Sequence, residues 1–454
     1  MDFRFEFFIA ARGGRPMEVG YHVPEERPMG QHSRRSFVSR TLSAFGGGAL
    51  LLAADRSALL ADAADLVSAS SPDALGSDYW RLVQRQFRLE PGLLYFNNAS
   101  LGPSPVQVAD ATDAFRRQLD AFPSRYMWGG WNEEKAAVRS KAAELLGAAR
   151  EEIALIHNTT EGMNLIASSL DLDPGDEVIL ADHEHPSGTV PWQYWQEPKG
   201  VRLVRPVLPI LPSDPAEITE IYRRAITPRT RVISMCHVIN TNGLILPVRE
   251  VSEMARKRGI LVAVDGAQAP GMVDVDLHDL GCDFYAASSH KWLFSPKGVG
   301  VFYARQASQS LLKPLIVCRG WENRSIRSFE NYNTRNLPEV LGLGVALDFQ
   351  NLMRPERRLA RIHQLKRFFR DHIEDDPGFA IKTPASDALS CGITTVEVVG
   401  RDVREAAEAL SERHHIDCRP MTSHDLNGLR ISLSVFNTED QVEVLIAALR
   451  EIAA

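Results

Sequence analysis

Residues 264–303 read VDGAQAPGMVDVDLHDLGCDFYAASSHKWLFSPKGVGVFY, and their layout decides the fold. The apolar run ILVAV ends on Asp265, CDFYAAS ends on Ser288 just before Lys291, and GVGVFYA follows. Continuous apolar runs of this length suit strands covered on both faces. A carboxylate closing such a run is costly to bury without a cationic partner, although a strand-end cap would also place an Asp there. Lys291 taken alone would read as a surface charge. Desolvated, it has a lowered pKa, which makes it a nucleophile and a proton carrier.

The same rhythm extends outward in both directions. From Glu152 the chain alternates short apolar runs (EEIALIHN, DEVILAD, VRLVRPVLPI, RVISMCHV) with amphipathic stretches such as TEGMNLIASSL and PVREVSEMARKRG. This is the pattern of crossover units around a mostly parallel sheet. After a long helix over LPEVLGLGVALDFQNLM, an Arg-rich helix, GITTVEVV, DVREAAEALSERHH, GLRISLSV and a last helix read as a smaller α+β domain. Thr438 and Gln441 have capping-box spacing for that last helix. The expected domains are a large one over 93–350 and a small C-terminal one over 351–454, preceded by an N-terminal arm over 64–92. A length of 454 residues accords with two or three domains.

With 44% hydrophobic and 24% charged residues the chain is an ordinary globular protein, and disordered or fibrous classes are excluded. A formal net charge of -7 without a basic block argues against nucleic acid as a partner. The five cysteines, Cys236, Cys282, Cys318, Cys391 and Cys418, have no CxxC spacing and read as packed thiols. His183 and His185 flank Glu184 without a further spaced ligand set, so no metal is expected.

The N-terminus has the layout of an address. SRRSFV (33–38) precedes TLSAFGGGALLLAA (41–54), which is uncharged and too short to span a bilayer. Arg34-Arg35 before that mild apolar run resembles a twin-arginine export signal, and Ala61-Asp62-Ala63 supplies a cleavage site. Residues 1–63 are therefore expected to be a signal region, with Met29 a candidate true start. The mature protein would be periplasmic or exported by the twin-arginine machinery without stable membrane insertion, the alternative being cytoplasmic. Arg116-Arg117, Arg223-Arg224 and Arg357-Arg358 lack this context and read as solvated helix faces.

The quoted run resembles class V aminotransferases and the cysteine-desulfurase group, over about residues 93 to 450, with a further match in YFNNASLGP. The resemblance implies an α/β, aspartate aminotransferase-like (fold type I) pyridoxal 5'-phosphate (PLP) enzyme. Lys291 would carry the cofactor and Asp265 would pair with the pyridine nitrogen, keeping the ring an electron sink. His185, in EHPSGTVPWQ, would lie over the ring, with Gln268 and Asn240 at the phenolic oxygen. Thr159, Thr160, Ser288 and His290 would hold the phosphate. At a strand-to-helix junction the two threonines read equally well as helix caps or as phosphate ligands, and a lone His or Asn is more often a satisfied core group. Thr334, in NYNTRN, would reach the phosphate of a neighbouring subunit, implying a homodimer. Arg430, assisted by Arg419, would hold the substrate carboxylate through its planar fork.

Desulfurases carry a nucleophilic cysteine on the loop matching MTSHDLNG, which has none here, and Cys418 aligns with a strand instead. YFNNASLGPSPVQVADA and NTRN resemble the isopenicillin N epimerase-like subgroup, which also contains aminotransferases and carbon-sulfur lyases. The expectation is an enzyme acting at the α-carbon of an amino acid or amino-acid-derived substrate, epimerase-like. The alternatives are an aminotransferase or carbon-sulfur lyase and, less favoured, a non-catalytic binding protein of the same fold.

Overall fold

The apolar runs become strands in a computed structural model that describes residues 77–454 apart from Arg324 and Asp425. The expected signal region 1–63, and the expected arm up to residue 76, lie outside the described residues. In chain order the strands are β1 (Leu94–Tyr95), β2 (Ile153–Ile156), β3 (Glu177–Ile179), β4 (Arg202–Val204), β5 (Thr230–Cys236), β6 (Leu261–Asp265), β7 (Phe284–Ser288) and β8 (Gly300–Ala304). They continue with β9 (Phe379–Ile381), β10 (Ile393–Val398), β11 (Ile416–Asp417), β12 (Arg419–Met421) and β13 (Gly428–Ser432).

A seven-stranded sheet has the order β2-β8-β7-β6-β5-β3-β4. β4, β3, β5, β6 and β7 pair in parallel, and β8 runs antiparallel to both β2 and β7. The mostly parallel sheet read from the apolar runs is therefore present. Successive residues of each strand feed opposite cores, as the period of two requires. Ala154, Ala263, Phe284, Ala286 and Phe302 pack on one side, under helix α1 (Thr159–Ser169), with Met163 and Ile166. Leu155, Val262, Val264, Tyr285, Val301 and Tyr303 pack on the other side, in a core shared with Leu341 and Leu347 of helix α2 (Leu337–Met353). Helix α2 is apolar nearly all round and buried accordingly.

A four-stranded antiparallel sheet, β12-β13-β10-β9, carries helix α3 (Pro355–Asp371) and helix α4 (Glu439–Ala453) over a separate cluster that includes Phe369, Val396, Leu429, Ile431 and Leu445. Helix α4 begins with the expected capping box, Thr438 accepting from Gln441 N and Gln441 bonding back to Thr438 N. β1 leaves its sequence neighbourhood to pair in parallel with β11. Residues just after β1 thereby reach the C-terminal sheet, where Asn97 bridges to Ser432. No described helix is long and apolar enough to cross a membrane.

Candidate active site

The residues singled out at the centre of the chain gather beyond the carboxyl ends of the parallel strands, where open α/β sheets place their ligands. Asp265 closes β6 and is buried. Its Oδ1 accepts from Ala267 N at 2.9 Å, while Oδ2 is buried with no partner. An orphaned carboxylate oxygen in such a place calls for a donor, and a protonated pyridine nitrogen is one. Lys291 lies in the turn after β7, with Gly102 pressed against its backbone. A Cβ on Gly102 would meet the Lys291 carbonyl oxygen at 2.0 Å, so only glycine lets YFNNASLGP cover this turn. Burial lowers the Lys291 ammonium to about 8, with Arg430 and Arg419 pushing the same way against Asp265.

At the start of α1, Asn158 caps the helix by accepting from Glu161 N, so the capping role falls to Asn158 rather than to the threonines. Thr159 N and Oγ1 both bond Ser288 Oγ, at 3.0 and 2.9 Å, which ties the helix start to the end of β7. Thr160 Oγ1 donates to Ser187 Oγ at 2.9 Å. His290 lies beside Lys291, pushed down to about 4 by burial and the neighbouring lysines, and its Nδ1 is buried without a partner. A helix N-terminus, two hydroxyls and an unpartnered imidazole nitrogen suit a phosphate. Together with Asp265 Oδ2 and Lys291, these residues fit PLP.

His185 is the N-cap of helix α5 (Pro186–Lys199), its Nδ1 accepting from Ser187 N at 3.1 Å, so the neutral ring carries its proton on Nε2. Burial holds its pKa below the usual histidine value. Gln268 is buried between Ala99 O, to which Nε2 donates at 2.8 Å, and Trp292 Nε1, which donates to Oε1 at 2.8 Å. One amide hydrogen remains for a ligand. Asn240 offers its carbonyl to Arg430 Nη1 at 3.0 Å. Thr334 stands apart from this group. It is exposed in the segment before α2, between Asn333 and Arg335, which line a polar cavity of about 310 Å³.

Arg430, in β13, is 1% exposed, and burial lowers its pKa to about 9, with Arg419 adding to the effect. Its Nη2 reaches Asn97 Oδ1 at 3.1 Å and Ser100 Oγ at 2.5 Å, while Nε is buried and unpartnered. Arg419 pairs with Arg430 across β12 and β13 and touches the same Ser100 at 3.4 Å. Two like charges on neighbouring strands are unfavourable alone and well placed for a shared anion.

Asn97, Ser100 and Glu184 join the site without having been singled out. The first two lie in YFNNASLGP, but nothing in their spacing points to an arginine so far along the chain. Glu184 sits between the two histidines and accepts from Cys236 N at 3.1 Å. Burial raises its carboxyl to about 8, and the Asp265 charge pushes the same way. Cys236, Cys282, Cys391 and Cys418 are buried, with thiols pushed up in pKa by burial, which makes them packed side chains as expected.

The profile of the family described as Aminotransferase class-V matches residues 94–445. The chain is 34% identical over 393 residues to isopenicillin N epimerase of Amycolatopsis lactamdurans, covering 82% of this chain and 98% of that one. It is 29% identical over 407 residues to a cysteine desulfurase of Serratia proteamaculans, covering 82% and 96%. Among solved structures, the cysteine desulfurase CsdA from Escherichia coli superposes with a TM-score of 0.71 at 24% identity, covering 83% and 98%. A C-DES variant with glycine covalently linked to its PLP cofactor superposes at 0.73 and 24% identity, covering 81% and 98%.

Proposed function

Since the chain belongs to the class V aminotransferase family and is a PLP-dependent enzyme of fold type I, we propose that it inverts the configuration at the α-carbon of an amino acid or amino-acid-derived substrate, as an isopenicillin N epimerase-like enzyme. The observation that carries this reading is the pairing of a buried, weakly basic Lys291 with the Arg430–Arg419 pair: one handles a proton and the other holds a carboxylate. When bound, PLP supplies an electron sink for the electrons of the Cα–H bond.

Asp265 holds the proton at the ring nitrogen, for which its Oδ2 is free. The two arginines fix the substrate by its carboxylate, Arg430 held in place by Asn97, Ser100 and Asn240. Lys291 Nζ takes the Cα proton on one face. The proton returned on the other face comes from solvent water, while the neutral His185, its N–H on Nε2, covers the ring and donates a hydrogen bond rather than a proton. Inversion is favoured over desulfuration because four of the five thiols are buried and the loop at 422–427 has no cysteine. The 34% identity to isopenicillin N epimerases supports the same choice.

The test is incubation of the purified protein in D₂O with a panel of L- and D-amino acids and short peptides, followed by chiral and mass analysis. Inverted, α-deuterated product is expected. Oxo acid or sulfide without inversion would give the enzyme to the aminotransferase or carbon-sulfur lyase branch, and neither exchange nor product would remove Cα chemistry altogether. The reading also includes a homodimer, in which Thr334 serves the neighbouring subunit, and export by the twin-arginine route; both are supported by motifs of the sequence.

A further inference from the structure

Beyond β3 the chain reads Asp182-His183-Glu184-His185, of which Glu184 and His185 belong to the site already described. His183 points elsewhere and is 3% exposed. Its Nδ1 reaches Thr241 Oγ1 only at 3.5 Å, and its Nε2 reaches Asp182 Oδ2 only at 4.0 Å. Both distances exceed those of a good hydrogen bond, and a buried imidazole held so loosely is costly. Asp182 is better anchored. Its Oδ1 accepts from Leu208 N at 3.0 Å, which leaves Oδ2 on the side of His183. From the loop between β12 and β13, His424 stacks on His183 with ring centroids 4.2 Å apart and planes 28° from parallel. His424 is exposed and holds a left-handed backbone, φ 57°. One donor atom from each of Asp182, His183 and His424 lies within 4.8 Å of the other two.

We infer that Asp182, His183 and His424 form a binding site for a divalent transition-metal ion, of which Zn²⁺ is the type, at the rim of the cofactor cleft. Two imidazoles and a carboxylate are the donor set of zinc sites that keep a fourth position open. Bonds of about 2.1 Å in a tetrahedron hold donors about 3.4 Å apart. The three side chains must therefore draw together, and His424 does so most cheaply because it is exposed on a loop; its ring slides off the stack as it turns its nitrogen to the ion. The carboxylate, already hydrogen-bonded to Leu208 N, is oriented as outer-shell partners orient metal ligands. The site borders the substrate machinery: His183 is two residues before His185, and Thr241 follows Asn240, whose carbonyl binds Arg430. Its open position is available to water or to a donor atom at the far end of a substrate. The alternative is a packed histidine pair that binds nothing.

The PLP-loaded protein without an affinity tag, treated with a chelator and dialysed, is titrated with Zn²⁺ and separately with Co²⁺. One equivalent per chain should bind with a dissociation constant of about 10 μM or tighter, and Co²⁺ should show the visible bands of a tetrahedral site. His424→Ala, which leaves the core untouched, should weaken binding by about 100-fold or more, beyond the 10–100-fold seen when an outer-shell partner is lost. His372→Ala, at an exposed helix end, should leave it unchanged. Absence of saturable binding below about 1 mM, or binding indifferent to His424→Ala, would overturn the site. The readout is metal affinity, with an unchanged PLP absorbance as the check on folding, so it stands or falls separately from the epimerase reading.

Discussion

At the scale of the residue, the roles proposed for Lys291 and Asp265 each have a measurable signature. A lysine is a nucleophile only as the free amine, and burial lowers this ammonium to about 8. Below that value the amine is mostly protonated, and above it mostly free. The rate at which PLP-free protein captures PLP should therefore rise through neutral pH, about tenfold per pH unit well below 8, and level off above it. Stopped-flow absorbance across that range checks this, and a flat profile would place the reactive amine elsewhere. Asp265 keeps one oxygen, Oδ2, buried without a hydrogen-bond partner among the described residues, and the ring nitrogen is its proposed partner. Asp265→Asn should still load PLP through Lys291 but lose about 100-fold or more in kcat, with KM changed less, because an amide cannot hold that proton as charge develops. Steady-state kinetics on the preferred substrate decide it, and a near-normal kcat would show that the ring nitrogen is not used this way.

Among the elements, helix α1 depends on one close approach. A Cβ on Gly162 would lie 2.5 Å from Ala286 Cβ and 3.2 Å from both Ile156 Cδ1 and Phe302 Cδ2, so the helix rides directly on the sheet. Gly162→Ala gains about 1 kcal/mol of helix propensity, but overpacking a dense core costs about 1–3 kcal/mol, and the steric cost should prevail. The helix backs away from β7 and carries Thr159 and Thr160 with it, so PLP affinity should fall together with stability. Thr438→Ala offers the contrast. It removes the cap of α4 at a cost of about 1 kcal/mol and should leave PLP affinity intact. Measuring Tm and the PLP dissociation constant for both variants separates the effects, and equal PLP affinities would refute a cradle carried by α1.

For the whole molecule, the pairing of β1 with β11 and the contacts of Asn97 and Ser100 with Arg430 mean that the Arg430 end of the site is complete only when the beginning and end of the described chain have come together. On the proposed export route, such a protein would leave already folded, after its cofactor has been loaded. Replacing Arg34→Lys together with Arg35→Lys should therefore leave a folded, PLP-loaded protein in the cytoplasm. The unaltered gene should yield a mature chain beginning near Ala64, because the export receptor reads the arginine pair rather than its charge. Fractionation of the native host with N-terminal sequencing checks both, and an unprocessed cytoplasmic form from the unaltered gene would end the export proposal.

The sequence by itself determined the parallel sheet, the placement of Asp265 at the end of one strand and of Lys291 in the turn after the next, the length of α2 and the cap of α4. Each is written in short-range patterns: the run of apolar residues, the residue that ends it, the spacing of Thr438 and Gln441. Tertiary structure alone decided what depends on residues distant in the chain. It showed that Asn97 and Ser100 hold Arg430, that Arg419 opposes Arg430 across two strands, and that Gln268 is partly occupied by Ala99 and Trp292. It also brought His424 to His183, supplying the further ligand that no local spacing announced. Such partners meet because strand pairing and core packing set the path of the backbone, and no local periodicity encodes which loops that path will bring together.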